Sequence, residues 1–214
     1  MKLLNLKLLI LLLTTVSFAQ NAPQWRFIKE VEGVKVYFRE SEGSNIKEVK
    51  MQTTFNANLS SIVECLKDVD RYPKWVYKAT YSKTVSKYSE NDVIYYNYID
   101  FPWPMQDRDI VIQSKITQDA NTRIITSESF AKWEAEPFRK DVVRIQDFRS
   151  KWTFTPLTAG KVAGEYVFKS NPGGSLPAWL VNLGLDEGPL KTLKGFKSLL
   201  QDNKYKNVQN GFKD

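Results

Sequence analysis

The sequence predicts one α+β domain, in which a large antiparallel sheet is covered on one face by a C-terminal helix. Three observations predict this class. Segments rich in β-branched and aromatic residues follow one another between residues 34 and 169, separated by turn residues. A helical apolar pattern interrupts them once, at residues 59–69. The final apolar stripe, over residues 176–200, is long enough to cover a sheet of roughly seven strands.

The N-terminus has the layout of a secretory signal peptide. Lys2 and Lys7 are basic, an apolar run follows at residues 8–13, and small residues lead to a cleavage site after Ala19. The run is shorter than the about 20 residues of a membrane-spanning helix, although an uncleaved anchor is the alternative interpretation. We expect export to the periplasm or the extracellular space. The expected divisions are a signal peptide at 1–19, a domain at 20–203 and a frayed polar tail at 204–214.

The residue types that the sequence lacks exclude several classes of enzyme. There is no histidine and only one cysteine, Cys65. Catalysis by Ser-His-Asp or Cys-His groups and metal sites built on imidazole or thiolate clusters are therefore excluded. Neither a calcium-binding loop nor a glycine-rich phosphate loop can be found. We expect no cofactor, no metal ion and no catalytic residue.

The charge balance bears on the partners of the chain. The formal net charge is +7, and two of the lysines belong to the predicted signal peptide. A spread-out positive excess suits transient attraction to an anionic membrane surface, and a solvated basic face is an equal alternative. Predicted export and the lack of a basic run argue against nucleic acid. We expect a monomer.

The elements before residue 79 follow from local signals. Asn58 is a suitable N-cap, Pro73 is expected to end the helix that follows it, and residues 41–45 form a turn cluster. The predicted elements are a short helix at 25–30, strands at 34–39 and 46–55, and a helix at 59–69.

From Ala79 onwards the pattern is strand after strand. The segment from Arg108 to Ile116 alternates with period two, so that Ile110, Ile112 and Ser114 face one way and the residues between them the other. Further strands are predicted at 93–100, 123–130, 142–148, 151–155 and 162–169.

The last predicted element is a long amphipathic helix. Residues 171–175 break the sheet, and Ser175 is a plausible N-cap for a helix that begins at Leu176. Its apolar stripe continues to Leu200, and Gly188-Pro189 is expected to kink or divide it because proline clashes with the preceding turn.

Four segments, in this order and spacing, resemble the StAR-related lipid-transfer (START) domains. Together they extend the resemblance from about Trp25 to Asn203. The segments are Asp70–Trp75, Pro102–Val111 with its PWP and DRD motifs, Trp152–Pro156, and Tyr166 with Asn171–Asn182.

The resemblance implies a helix-grip fold, in which a curved antiparallel sheet wraps around the long C-terminal helix and encloses an apolar tunnel. In that family the tunnel holds one lipid, such as a sterol, phospholipid, ceramide or carotenoid. Residues with the strand or helix parity to face the tunnel are Ile110, Ile112, Ser114, Trp152, Phe154, Tyr166, Phe168, Trp179, Leu183 and Phe196. Tyr96 and Tyr98 either line the tunnel, where they would hydrogen-bond a ligand hydroxyl, or pack in the core with satisfied hydroxyls.

The sequence departs from the family pattern at one pair of positions. Several members bury an arginine after the Arg-Asp pair and an acid on the neighbouring strand. Ser114 stands near the arginine position, and Tyr95 or Tyr96 near that of the acid. Without this ion pair, the resemblance implies recognition through hydroxyl-scale contacts rather than a charged head group.

Two further groups of residues have open interpretations. Asp107, Arg108 and Asp109 are expected to form a structural ion-pair cluster rather than a catalytic site. The segment at 132–140 carries aromatic residues among charges and is either a lid or membrane-touching loop, or an ordinary loop.

Three functions remain open from the sequence. The leading hypothesis is non-catalytic binding, with transfer, of a hydrophobic small molecule or lipid in the tunnel. The second is a helix-grip enzyme of the cyclase or aromatase type, which requires converging acid or base groups in the cavity. The third is an envelope binding module with a closed core and no ligand.

Overall fold

The computed structural model of the chain describes residues 23–158 and 160–214. The predicted signal peptide and its cleavage site lie outside the described residues. The strands within these ranges are β1 (Arg26–Val31), β2 (Val34–Ser41), β3 (Ser44–Phe55), β4 (Ala79–Ser89), β5 (Asp92–Ile99), β6 (Arg108–Gln118), β7 (Ile125–Ala131), β8 (Val143–Ile145), β9 (Asp147–Thr158) and β10 (Lys161–Asn171). The α-helices are α1 (Leu59–Lys67), α2 (Ala178–Leu183) and α3 (Glu187–Leu199).

These strands form one sheet with the order β1-β2-β3-β10-β9-β7-β6-β5-β4, and β8 pairs with β6 off this path. Neighbours along the order are antiparallel, whereas β8 is parallel to β6. α1 is inserted between β3 and β4, and α2 and α3 follow β10. The predicted α+β architecture, a large antiparallel sheet with a helical C-terminal segment, is confirmed.

One cluster of aromatic side chains holds α3 against the sheet. Phe196 of α3 is fully buried, with its ring centroid 5.7 Å from that of Phe55, 5.8 Å from that of Trp152 and 4.8 Å from that of Trp75. Burying one phenylalanine side chain contributes about 1.5–3 kcal/mol. Gly195 permits this approach, because a Cβ at that position would lie 2.6 Å from the backbone oxygen of Trp75.

The helix predicted at residues 25–30 is wrong, since this segment is strand β1, paired with β2. The turn between the two strands consists of Glu32 and Gly33, both of which have positive φ (49° and 71°). Two such residues are typical of the type I′ turn that closes a two-residue hairpin. The side chains of β1 are all exposed, so the apolar residues of this short segment gave no strand signal.

The first helix differs from its prediction at both ends. Asn58 is the N-cap residue, but its side chain forms no capping hydrogen bond. α1 ends at Lys67, and the chain continues as a 3-10 helix at Val69–Lys74 that contains Pro73. Proline therefore does not end the α-helix.

The C-terminal helix is divided, as expected, but the break precedes the proline. α2 has Pro177, not Ser175, as its N-cap and ends before Gly184, and Pro189 lies in the first turn of α3. Proline is tolerated there because the amides of a first turn have no partner within the helix. No helix in the described part of the chain is long and apolar enough to span a membrane.

The expected frayed tail is wrong, because residues 204–214 pack back onto α1. Tyr205 is fully buried, and its hydroxyl donates to a carboxylate oxygen of Asp68 at 2.7 Å. The carboxylate of Asp214 accepts hydrogen bonds from the backbone amide and hydroxyl of Ser60 at 2.8 and 3.0 Å. These polar contacts, rather than an apolar pattern, hold the segment.

Candidate functional site

A cavity of about 220 Å³ lies between the sheet and the start of α3. Strands β5, β6, β7, β9 and β10 form one side of it, and α1, the 3-10 helix and α3 form the other. The residues that line it are Leu66, Tyr72, Trp75, Val76, Tyr77, Tyr95, Asn97, Ile99, Ile110, Ile112, Ser114, Ser127, Ser129, Ile145, Phe148, Ser150, Trp152, Tyr166, Phe168, Ser170, Gly188, Pro189 and Thr192.

None of these lining residues carries a charge. The polar groups are serine, threonine and tyrosine hydroxyls, the indole N–H groups of Trp75 and Trp152, and one carboxamide, that of Asn97. A cavity of this composition favours neutral ligand groups, because burying an ionised group without a partner costs several kcal/mol.

Three serines form a row across the floor of the cavity. Ser114 of β6 lies directly opposite Ser129 of β7, which lies opposite Ser150 of β9. The hydroxyl oxygen of Ser114 is 3.0 Å from that of Ser129 and 3.2 Å from that of Ser127. The hydroxyls of Ser114, Ser127 and Ser129 therefore satisfy one another, and the row makes a neutral polar strip about 10 Å wide, from the spacing of neighbouring strands.

Aromatic rings form the adjoining wall. The ring of Tyr166 stacks on Trp152 with a centroid distance of 4.0 Å and on Phe168 with one of 5.6 Å. Burial raises the pKa of Tyr166 to about 12, although a hydrogen bond with Ser150 acts in the opposite direction. Burial also raises the pKa of Tyr95 well above its usual range. Both phenols stay protonated at neutral pH and serve as hydrogen-bonding groups, not as bases.

Six of the residues predicted for the tunnel line this cavity, and two others lie beside it. The side chains of Phe154 and Phe196 are fully buried in the adjoining core, where they contact Phe55. Contact of any of these residues with a ligand stays a prediction. The six that line the cavity are Ile110, Ile112, Ser114, Trp152, Tyr166 and Phe168.

The orientation predicted for Tyr96 and Tyr98 is wrong. Tyr96 packs with Val111 on the opposite face of the sheet, and the hydroxyl of Tyr98 donates to Asp107 at 2.6 Å. β5 is apolar on both faces, so its Tyr-Tyr-Asn-Tyr run hides the period of two that fixed the parity of β6. The residues of β5 that line the cavity, which sequence reasoning missed, are Tyr95, Asn97 and Ile99.

The inward orientation predicted for Trp179 and Leu183 is also wrong. Their side chains are 65% and 73% exposed. The prediction continued one apolar stripe through both halves of the helix. The break between α2 and α3 interrupts the helical rotation, so the stripe of α3 does not extend into α2.

The three residues of the DRD motif each contact a different part of the chain, and they do not form one ion-pair cluster. Asp107 accepts from Tyr98 and from the amide of Phe101, and these hydrogen bonds lower its pKa. Arg108 donates to the backbone oxygens of Pro172 and Gly173 at 3.2 and 3.4 Å. The β5–β6 loop is thereby joined to the segment that leads into α2.

Asp109 forms the buried ion pair of the motif. The Nε and Nη2 atoms of Arg144 are 2.6 and 2.8 Å from the two carboxylate oxygens of Asp109, and both side chains are 1% exposed. Arg144 also donates to the backbone oxygens of Trp133, Glu136 and Pro137. The loop at 132–140 is therefore held on the face of the sheet opposite the cavity, which excludes it as the lid of this cavity.

A second, charged cleft of about 320 Å³ adjoins the cavity. Leu66, Tyr72 and Ser114 border both spaces. The cleft is open at the surface and lined by acidic and basic side chains, among them Glu64, Lys67, Asp68, Asp70, Lys87, Glu90 and Lys204.

The family follows from comparison with known proteins. The model of the START domain matches residues 17–206. The chain belongs to the START domain family. An uncharacterised protein of Pseudomonas aeruginosa is 31% identical over 195 residues, which cover 90% of this chain and 96% of that protein.

Solved structures and curated relatives agree with this membership. A STAR-related lipid transfer protein from Xanthomonas axonopodis is 32% identical, with a TM-score of 0.77, over 83% of this chain and 99% of that one. The phosphatidylcholine transfer protein of Bos taurus is 23% identical over 87% of this START chain and 88% of its own. Human StAR-related lipid transfer protein 5, at 16% identity, shares the fold with a TM-score of 0.72 over 83% of this chain and 86% of that one. The predicted helix-grip fold is confirmed.

Proposed function

We propose that this START domain binds one neutral lipid in the cavity between the sheet and α3 and transfers it between membranes without chemical change. The observation that carries this proposal is the uncharged lining, with its aromatic wall and its strip of paired serine hydroxyls. Family membership supports lipid binding and transfer in general, and the lining supports the neutral class of ligand.

The binding free energy of such a ligand comes mainly from its apolar part. Each CH₂ group that leaves water contributes about 0.8 kcal/mol, and Trp152, Tyr166 and Phe168 provide the apolar surface. The cavity volume of about 220 Å³ is below the about 300–1,000 Å³ of typical ligand pockets. We therefore infer that α3 and the neighbouring loop move outward when a whole lipid enters, which opens the cavity into a tunnel.

Neutrality follows from what the lining offers a head group. Relatives named as phosphatidylcholine transfer proteins match this chain at 22–23% identity. A buried phosphate needs a cationic partner, and the described lining residues present none. A sterol, a carotenoid or a long-chain alcohol suits the serine strip better than a phospholipid does.

The absence of catalysis has a related basis. An enzyme of the cyclase type requires converging acid and base groups. The described lining holds no carboxylate, and its phenols Tyr95 and Tyr166 have raised pKa values. Phenols with raised pKa values are poor general bases, which supports binding and orientation of a ligand without chemistry.

An exposed apolar surface next to the cavity supports contact with membranes. Trp103, in the loop after the cavity residue Ile99, is 91% exposed. Trp179, Leu180 and Leu183 are exposed apolar residues of α2, which precedes the cavity residues of α3. Amphipathic aromatic side chains partition into the membrane interface. We propose that a monomer, exported by its signal peptide, docks on membranes through this surface.

A transfer assay between vesicles tests the proposal. Neutral donor vesicles carry either the fluorescent sterol dehydroergosterol or a fluorescent phosphatidylcholine, and acceptor fluorescence reports transfer by the mature protein. We expect saturable transfer of the sterol and little of the phospholipid. Ser129→Phe fills the cavity and should abolish transfer, whereas Glu128→Phe, one residue away on the exposed face, should not. Equal transfer by both variants would contradict the site.

A further inference from the structure

We infer that the carboxamide of Asn97 selects ligands that carry a hydroxyl group. This inference rests on the proposed function and adds to it one specificity-determining residue. It starts from the polar groups of the cavity lining, most of which already have partners within the protein.

Asn97 is placed at the cavity by the register of three strands. It lies on β5 between Ser82 of β4 and Ile110 of β6, to which it is directly paired. Its side chain lines the cavity and the residue is 4% exposed. On the same strand Tyr95 and Ile99 face the cavity too, as the alternation of a strand requires.

The Oδ1 atom of Asn97 is buried, and none of the described residues donates a hydrogen bond to it. The hydroxyl oxygen of Ser82, its cross-strand neighbour on the same face, is likewise buried without a partner. A buried carbonyl oxygen that gives up its hydrogen bonds to water without gaining a donor lowers the stability of a folded protein by about 1–3 kcal/mol. The fold tolerates this cost at Asn97. A ligand that donates a hydrogen bond to this oxygen would remove the cost that the ligand-free protein bears.

The remaining polar groups of the lining differ in this respect. Ser114, Ser127 and Ser129 bond to one another. The hydroxyl of Tyr72 donates to the backbone oxygen of Leu66 at 2.6 Å. Apart from Asn97, the described lining holds one buried group without a partner, the indole N–H of Trp75. The lining residues therefore include one acceptor and one donor that no described residue pairs.

A hydroxyl group is a ligand function that fits either of these two groups. It donates to an acceptor and accepts from a donor, so it pairs with either end of a carboxamide. An ether or a hydrocarbon of the same length cannot donate to Oδ1. Sites built to bond a hydroxyl reject analogues that lack it, because their polar groups are then left unpaired.

Competition between matched ligands tests the inference on the full-length mature protein. Nile red reports occupancy of the cavity, and hexadecanol, its methyl ether and hexadecane compete for it. We expect the wild type to prefer the alcohol over the ether by at least about tenfold, the ratio that one good hydrogen bond supplies. In Asn97→Leu the ratio should fall to about one, with the affinity for the ether retained.

A control and a second measurement separate selection from folding. Asn121→Leu makes a matched exchange in the exposed turn between β6 and β7, outside the cavity, so it should leave the ratio unchanged. Asn97→Leu should also raise the melting temperature of the ligand-free protein, because it removes a buried oxygen that has no partner. A lowered melting temperature, or an unchanged ratio in Asn97→Leu, would overturn the inference while Nile red still binds. Failure of Nile red to bind the wild type would instead overturn the proposed function.

Discussion

Ser114 and Ser129 lie directly opposite each other on neighbouring strands, with their hydroxyl oxygens 3.0 Å apart. Ser114 stands near the position at which several members of this family are expected to bury an arginine. Two neutral hydroxyls that satisfy each other need no counter-ion, so this end of the cavity is polar without being charged. Together with the uncharged lining, this contact supports the neutral class of ligand that we propose.

The first prediction concerns the charge of that site. Ser114→Arg places a guanidinium among hydroxyl and apolar groups, which costs several kcal/mol unless the side chain reaches water. Because Ser114 also borders the charged cleft, the arginine can turn outward, and we expect loss of binding to exceed loss of stability. Ser114→Ala should be mild.

Displacement of a fluorescent lipid and thermal melts measure both effects. Gln113, which has the opposite parity in β6, is half-buried and donates to Asp92 at 2.8 Å. The exposed neighbour Lys115 is therefore the better control, and Lys115→Arg should behave as the wild type. Normal lipid uptake by Ser114→Arg would contradict the cavity assignment.

The second prediction concerns the buried ion pair between Asp109 and Arg144. Asp109→Ala leaves the guanidinium of Arg144 buried without its counter-charge, which should lower the free energy of unfolding by about 3–5 kcal/mol. The double variant Asp109→Leu, Arg144→Leu removes both charges and should lose less. Urea unfolding checks this order. A double variant less stable than Asp109→Ala would show that Arg144 acts mainly through its three backbone contacts.

The third prediction concerns acid stability. Burial tends to raise the pKa of Glu48, but hydrogen bonds from Arg39 and Arg149 outweigh it, and the pKa of the folded state is below the ordinary value of 4.5. In the pH range around these two pKa values, the unfolded state therefore binds more protons than the folded state. The stabilisation is complete above about pH 4.5 and is lost as the pH falls through the lower pKa of the folded protein.

Glu48→Gln should therefore lower the free energy of unfolding at neutral pH by about 1–3 kcal/mol, the cost of unmatched charged partners. Between pH 5 and pH 3, roughly the range in which a carboxylate of this kind titrates, the variant should lose less stability than the wild type. Glu42→Gln, in the exposed β2–β3 turn, serves as the control. Parallel pH profiles for Glu48→Gln and the wild type would refute this role.

The fourth prediction concerns the approach of α3 to the sheet. Alanine favours a helix over glycine by about 1 kcal/mol. At Gly195, however, a Cβ would lie 2.6 Å from the backbone oxygen of Trp75. The displacement of α3 should outweigh the helix preference, so Gly195→Ala should lower the melting temperature. Gly184→Ala should not lower the melting temperature, because no atom lies within 4 Å of the new Cβ. A similar loss in both variants would mean that close packing at Gly195 is not the cause.

The reliability of the sequence-based predictions differed between strands for a physical reason. In β6 the isoleucines of one face alternate with residues that point to the other face. This period of two predicted the orientation of Ile110, Ile112 and Ser114. β5 is covered on both sides, so its consecutive tyrosines carry no period. Asn97, on which the specificity inference rests, could not be assigned to the cavity from such a run.

Two features of the C-terminal half depend on tertiary contacts that no local pattern encodes. The turn of the chain between α2 and α3 exposes Trp179, although its spacing matches the stripe of α3. The segment after Asn203 is polar, yet the hydrogen bonds of Tyr205 and Asp214 hold it on α1. The polar composition of this segment predicted a frayed end, because composition does not reveal hydrogen-bond partners that are distant in the sequence.

Native mass spectrometry of the protein purified from its own host, followed by lipid extraction, tests the central claim most directly. We expect one neutral, hydroxyl-bearing lipid per chain in the wild type and none in Ser129→Phe, while Glu128→Phe keeps it. A chain that retains a phospholipid, or one that carries no lipid and takes none up from vesicles, would contradict neutral-lipid binding in this cavity.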